Sequence, residues 1–199
     1  MSPPSEADPV ALVTGEYSQA ERSLLLDLAH RAIDSALAGL TLDTAAPTSH
    51  LGERRGAFTT LHLDRKLRGC IGYVIPEHSL YRTIAETARA AAFNDPRFSR
   101  VTTDEAPLLR IEISVLSPMM PIRPEDIIVG RHGLLIAKGI YRGLLLPQVP
   151  LEWDWDRETF LAQVCRKAGL PADAWTQGAE LQAFTAEVFG EDDTSSQHP

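Results

Sequence analysis

The segment Gly56-Ala-Phe-Thr-Thr-Leu-His-Leu63, Asp64-Arg-Lys66, Leu67-Arg-Gly-Cys-Ile-Gly-Tyr-Val-Ile75 constrains the fold more than any other stretch. Apolar and polar residues alternate on both sides of a three-residue polar break, which predicts a β-hairpin. Gly69 and Gly72 fall inside its second strand, where glycine marks a bulge or a place that another backbone approaches closely. Ser18-Gln-Ala-Glu21 is a capping box, and Leu25, Leu28, Ala29, Ala32, Ile33, Ala36 and Leu37 follow at helical spacing up to Gly39. Ser79 opens a second helix, with Leu80, Ile84, Ala88 and Ala91 to Phe93, which Asn94-Asp-Pro96 stops.

The rest of the chain repeats this mixture. Leu109, Ile111, Ile113 and Val115 alternate with polar residues as in a strand with one buried face, and 133–137 with 141–146 form a second hairpin. Asp156 caps a helix whose Phe160, Leu161, Val164, Cys165 and Ala168 share a face, with Trp155 placed as a hydrophobic staple. A single last strand is expected over Leu181 to Val188. Hairpins and helices without regular βαβ alternation argue an α+β fold, mainly antiparallel sheet with flanking helices. Residues 1–15 read as a disordered leader, 16–190 as one domain and 191–199 as a disordered acidic tail.

Composition narrows the class. The 199 residues are 44% hydrophobic and 23% charged, close to an average globular domain, and no apolar run approaches the length of a membrane span. The two cysteines, Cys70 and Cys165, form neither a disulfide framework nor a zinc pattern, so a reducing cytoplasm is the expected compartment. The formal net charge is −8, yet residues 54–100 carry net +5 through nine arginines and lysines against four acids. Such a block either attracts an anionic ligand or is scattered over the surface by folding.

Leu67-Arg-Gly-Cys-Ile-Gly72 resembles the signature of the AMMECR domain family, the AmmeMemoRadiSam system protein A group. Ala92-Phe-Asn-Asp-Pro-Arg-Phe98, Ile111-Glu-Ile-Ser-Val-Leu-Ser117, Gly130-Arg-His-Gly-Leu134, Leu146-Pro-Gln-Val149 and Lys167-Ala-Gly-Leu-Pro171 resemble further motifs in the family's order. The resemblance covers about residues 18 to 190. It implies two lobes with a cleft between them, no settled reaction, and a pathway shared with Memo-like and radical SAM proteins.

Cys70 is the candidate nucleophile, with Glu112 or His132 as base, on a phosphorylated or nucleotide-like substrate. Against this, a cysteine between two glycines is equally a small packing residue. Glu112 is either a base or cation ligand in a cleft or a solvated strand residue. His132 is an acid, a ligand or a turn residue. Arg68, Gly69, Cys70, Gly72 and Arg97 are the expected ligand-binding set for a small anion, although Asp95-Pro-Arg97 also suits a purely structural loop. No metal or cofactor is expected, since the histidines show no ligand spacing. Nucleic acid is not an expected partner for an acidic chain without an aromatic-studded basic run. The preferred reading is an accessory component that binds a partner or small ligand.

Overall fold

The computed structural model describes residues 15–191. Helix α1, Gln19–Leu37, begins at the expected capping box: Glu21 N–H donates to Ser18 Oγ at 3.3 Å and Ser18 N–H donates to the Glu21 carboxylate at 2.9 Å. Gly39, at φ 67°, turns the chain away after it. Strands β1, Ala57–Leu63, and β2, Lys66–Tyr73, form the first hairpin.

The hairpin turn is shorter than expected. Its two residues, Asp64 and Arg65, have φ of 50° and 62°, and Lys66 already pairs with Leu63. Positive φ at both central residues gives a turn whose twist matches that of the strands. The pairing slips between Leu61, opposite Gly69, and His62, opposite Leu67, so the bulged residue is Arg68. The two glycines serve close approach instead. A Cβ at Gly69 would collide with the Ala91 carbonyl oxygen, and one at Gly72 with the Phe58 ring.

Helix α2, Leu80–Phe93, is capped by Ser79. With β3, Arg110–Leu116, and β8, Ala186–Gly190, the hairpin makes an antiparallel sheet of order β2-β1-β3-β8. One face of this sheet presents Ala57, Leu61, Ile111, Ile113, Val115 and Phe189 to a core shared with Leu25, Leu28, Ile33, Leu80 and Ile84 of the two helices. Thr59 is buried there too, its hydroxyl bonded to that of Thr87 at 2.8 Å.

A second antiparallel sheet comprises β4, Met120–Pro121; β7, Glu180–Phe184; β5, Gly133–Lys138; and β6, Tyr141–Leu145, in that order. After a single-turn α3, Val149–Glu152, comes α4, Arg157–Lys167, capped by Asp156 as expected. Phe160, Leu161, Val164 and Cys165 pack with Leu134 and Ile136 in a separate core, against which Trp155 lies. Cys165 is fully buried, as its place on the apolar face implies.

The expected last strand is in fact two. Apolar residues recur throughout 181–188, with a change of phase at Ala183-Phe184, and at Thr185 the chain leaves the second sheet for the first. Ser117, on the other crossing segment, meets it there: Ser117 N–H donates to the Thr185 carbonyl at 2.9 Å, and Thr185 N–H donates to Ser117 Oγ at 3.0 Å. Among the described residues the architecture is α+β, with antiparallel sheets and four α-helices. No described helix is long and apolar enough to cross a membrane. The expected leader and tail fall largely outside the described residues; Glu191, assigned to the tail, is held by His30 at 2.6 Å.

Candidate functional site

The face of the first sheet turned away from the helices carries the chemistry. Strand residues alternate between faces, so the pairing decides which side chains stand together. Thr60 lies opposite Cys70 on one side and Glu112 on the other, forming a row across three strands. In the next row Phe58 lies between Gly72 and Ser114, and Ser114 lies opposite Val188. Phe58, Thr60, Cys70, Glu112 and Ser114 line a pocket of about 280 Å³, with Leu146 and Gln148, which follow β6, contributing to its wall. Gly72 makes room for the Phe58 ring against β2.

Cys70 is half-buried in this pocket. Thr60 Oγ1 donates to its Sγ at 3.3 Å. No imidazole or carboxylate bonds to the sulfur among the described residues; Glu112 lies two strands away, about 10 Å between backbones at ordinary strand spacing. Glu112 is itself half-buried, and its carboxylate makes no hydrogen bond or ion pair among the described residues. It lines a second hollow as well, of about 390 Å³, together with His62, Arg65 and Arg110.

Strand β2 is a sheet edge, and its outward peptide groups at Cys70 need partners. Asp95 and Arg97 supply them. Cys70 N–H donates to Asp95 Oδ2 at 2.9 Å, while Arg97 Nη2 donates to the Cys70 carbonyl at 3.4 Å and to Asp95 Oδ2 at 2.7 Å. The Asp95 side chain is 2% exposed. The hydrogen bonds from Arg97, joined by the Cys70 N–H, hold its carboxyl far below the usual carboxylate range despite that burial.

Arg68 does not offer its guanidinium to an external anion. Its Nε and Nη2 each donate to the Glu105 carboxylate at 3.0 Å, and Nη1 donates to the Ser99 carbonyl at 2.8 Å. These bonds from Arg68 draw the Glu105 carboxyl down to about 2. Of the expected ligand set, then, Arg68 and Arg97 act within the protein, Gly69 admits helix α2, Gly72 admits Phe58, and only Cys70 faces the pocket.

His132 stands apart. Its Nδ1 accepts the Ile128 N–H at 3.1 Å, and it lines a shallow hollow beside the second sheet with Ser117, Met120 and Phe184. Burial, aided by the charge of Arg131, lowers its pKa. The structure therefore brings Glu112, and not His132, into the pocket with Cys70. Phe58, Thr60, Ser114, Leu146 and Gln148 carried no site role in the sequence, although Ser114, Leu146 and Gln148 lie within the motifs quoted above. The alternation of β1 signalled that Phe58, Thr60 and His62 share a face; what it lacked was the register that sets them beside Cys70 and Glu112.

Comparison with known proteins agrees with the motifs. The family model described as AMMECR1 matches residues 26–189. A protein of Thermococcus gammatolerans is 44% identical over 182 residues, covering 84% of this chain and 89% of the relative. One of Methanocaldococcus jannaschii is 41% identical over 181 residues, covering 86% and 90%. The crystal structure of an uncharacterized protein from Pyrococcus horikoshii matches with a TM-score of 0.71 and 43% identity, over 85% of this chain and 90% of that one. With one family model spanning most of the described residues, and relatives matched over most of their own length, the chain belongs to the AMMECR1 family.

Proposed function

We propose that this chain is a binding component, which holds a small ligand or a short partner segment in the pocket on the open face of its first sheet. The observation that carries this reading is the row Cys70–Thr60–Glu112. It presents a thiol, a hydroxyl and an unpaired carboxylate to a pocket walled by Phe58, Leu116 and Leu146, and the thiol touches a hydroxyl rather than a base. Few convergent polar groups within apolar walls are what orient a bound molecule. An activated nucleophile needs more, namely a base within hydrogen-bond reach.

The test is native mass spectrometry of the full chain after incubation with the small-molecule fraction of a cell lysate. A captured species is expected, lost in Ser114→Trp, whose indole fills the pocket from the solvent-facing side of the sheet. An unaltered melting temperature shows that the variant is folded. Capture that persists in folded Ser114→Trp contradicts the assignment.

One observation favours a catalytic alternative: Cys70 and Glu112 line the same pocket. In that reading a covalent adduct forms on Cys70 and is absent in Cys70→Ser, whereas the binding component keeps its ligand noncovalently in both.

The family likeness motivates partners. We place the chain in a pathway with a Memo-like and a radical SAM protein, contributing binding while the radical chemistry proceeds on the partner. Two cysteines cannot ligate an iron–sulfur cluster that takes four thiolates. Co-purification of the three with this chain tagged, at micromolar concentration, checks the association; failure to retain either partner contradicts it.

A further inference from the structure

The pocket does not end at Glu112. On strand β3, Arg110 and Glu112 are two residues apart and share a face, about 7 Å between Cα atoms. His62 lies opposite Arg110, on the same face as Thr60, and Arg65 reaches the same hollow from the hairpin turn. Three rows therefore follow one another along the open face: His62 with the guanidinium of Arg110, then Cys70, Thr60 and Glu112, then the more apolar row of Phe58, Ser114 and Val188.

Arg110 and Glu112 do not pair with each other. Arg110 Nη1 lies 3.8 Å from Glu191, whose carboxylate also accepts the Ile111 N–H at 3.1 Å and meets His30 at 2.6 Å. Arg65 forms no ion pair among the described residues, and the Glu112 carboxylate is unpartnered at the boundary of both hollows. A half-buried carboxylate left without a partner beside exposed guanidinium groups is a site awaiting both signs of charge.

We infer that the ligand of this face is a small zwitterion, with a phosphate or carboxylate group held by Arg65 and Arg110 and an ammonium group a short linker away at Glu112. This rests on the binding reading above and names the ligand class of that site. The remainder of the molecule extends past Glu112 along Thr60 toward Phe58. An anion is thus recognised at the far end of the face from Arg97, by Arg65, which forms no ion pair among the described residues, and by Arg110, which shares the hollow with Glu191 at 3.8 Å.

The probes are O-phosphoethanolamine, inorganic phosphate and ethanolamine, titrated into the full chain at low salt and followed by amide chemical shifts. O-phosphoethanolamine is expected to bind more tightly than either fragment and to move the amides of Arg65, Arg110 and Glu112. Glu112→Gln, nearly identical in shape, should weaken it about fivefold while leaving inorganic phosphate unchanged or tighter, because a repelling charge is removed. Arg110→Gln should weaken both. If Glu112→Gln tightens O-phosphoethanolamine, or if O-phosphoethanolamine binds no better than phosphate, the zwitterion assignment is wrong. A chain that still captures a metabolite lost in Ser114→Trp then retains its binding function with a different ligand class. Absence of any capture overturns the underlying reading instead.

Discussion

Asp95 does more for the signature strand than any residue within it. Its buried carboxylate accepts the peptide N–H groups of Cys70 and Arg97 and the Arg97 guanidinium, closing a sheet edge with side chains instead of another strand. Asp95→Ala leaves the Cys70 N–H without its acceptor and should cost about 2 kcal/mol in urea unfolding. Glu105 is its counterpart at Arg68, and its effect is pH-dependent. The folded-state pKa, about 2, lies below the ordinary value of 4.5, so its contribution is complete above pH 4.5 and is lost as pH falls toward 2. Glu105→Gln should therefore show a shallower decline of stability across that window than the parent chain. Asn94-Asp-Pro96 announced a helix stop and a turn in the sequence. The strand that Asp95 serves lies 25 residues away, a distance over which local pattern carries no information.

Among elements, the first hairpin was the most legible because period-two alternation belongs to the strands themselves, whereas the bulge at Arg68 depends on pairing. Its glycines were read as marks of a bulge or of close backbone approach; the second holds at Gly69, against the Ala91 carbonyl, while Gly72 makes room for the Phe58 side chain. Gly69→Ala would press a methyl group on the Ala91 carbonyl, backbone that cannot rotate aside, and should destabilise by about 1–3 kcal/mol in the same unfolding assay. Arg65 offers the opposite case. At φ 62° an arginine occupies a region that glycine enters freely, so Arg65→Gly should stabilise by about 1 kcal/mol, and it should also weaken phosphate binding at the neighbouring hollow. The division between β7 and β8 left only a change of phase at Ala183-Phe184, which does not say that the two halves belong to different sheets. Only the bonds to Ser117, 68 residues earlier, show where one sheet gives way to the other.

At the scale of the whole molecule, folding engages much of the basic block of residues 54–100 within the protein. Arg55 pairs with Glu16 and Glu53, Arg68 with Glu105, Arg82 with Glu86 and Arg97 with Asp95, while Arg100 lies over the Phe93 ring at 5.5 Å. Sequence charge showed that a cationic surface was available but not which cations the fold would consume. The open face of the first sheet gathers what is left: the half-buried thiol of Cys70, the unpaired carboxylate of Glu112 and the arginines at its rim. Occupancy of this face by a ligand beside Cys70 is read most directly by the rate of Cys70 alkylation by iodoacetamide, because Cys165 is fully buried and does not compete in the folded protein. Small-molecule fractions of a lysate that contain the ligand should slow labelling of Cys70 in a saturable way, and Ser114→Trp should remove the dependence on added fraction; a labelling rate that stays the same with every fraction would contradict the account.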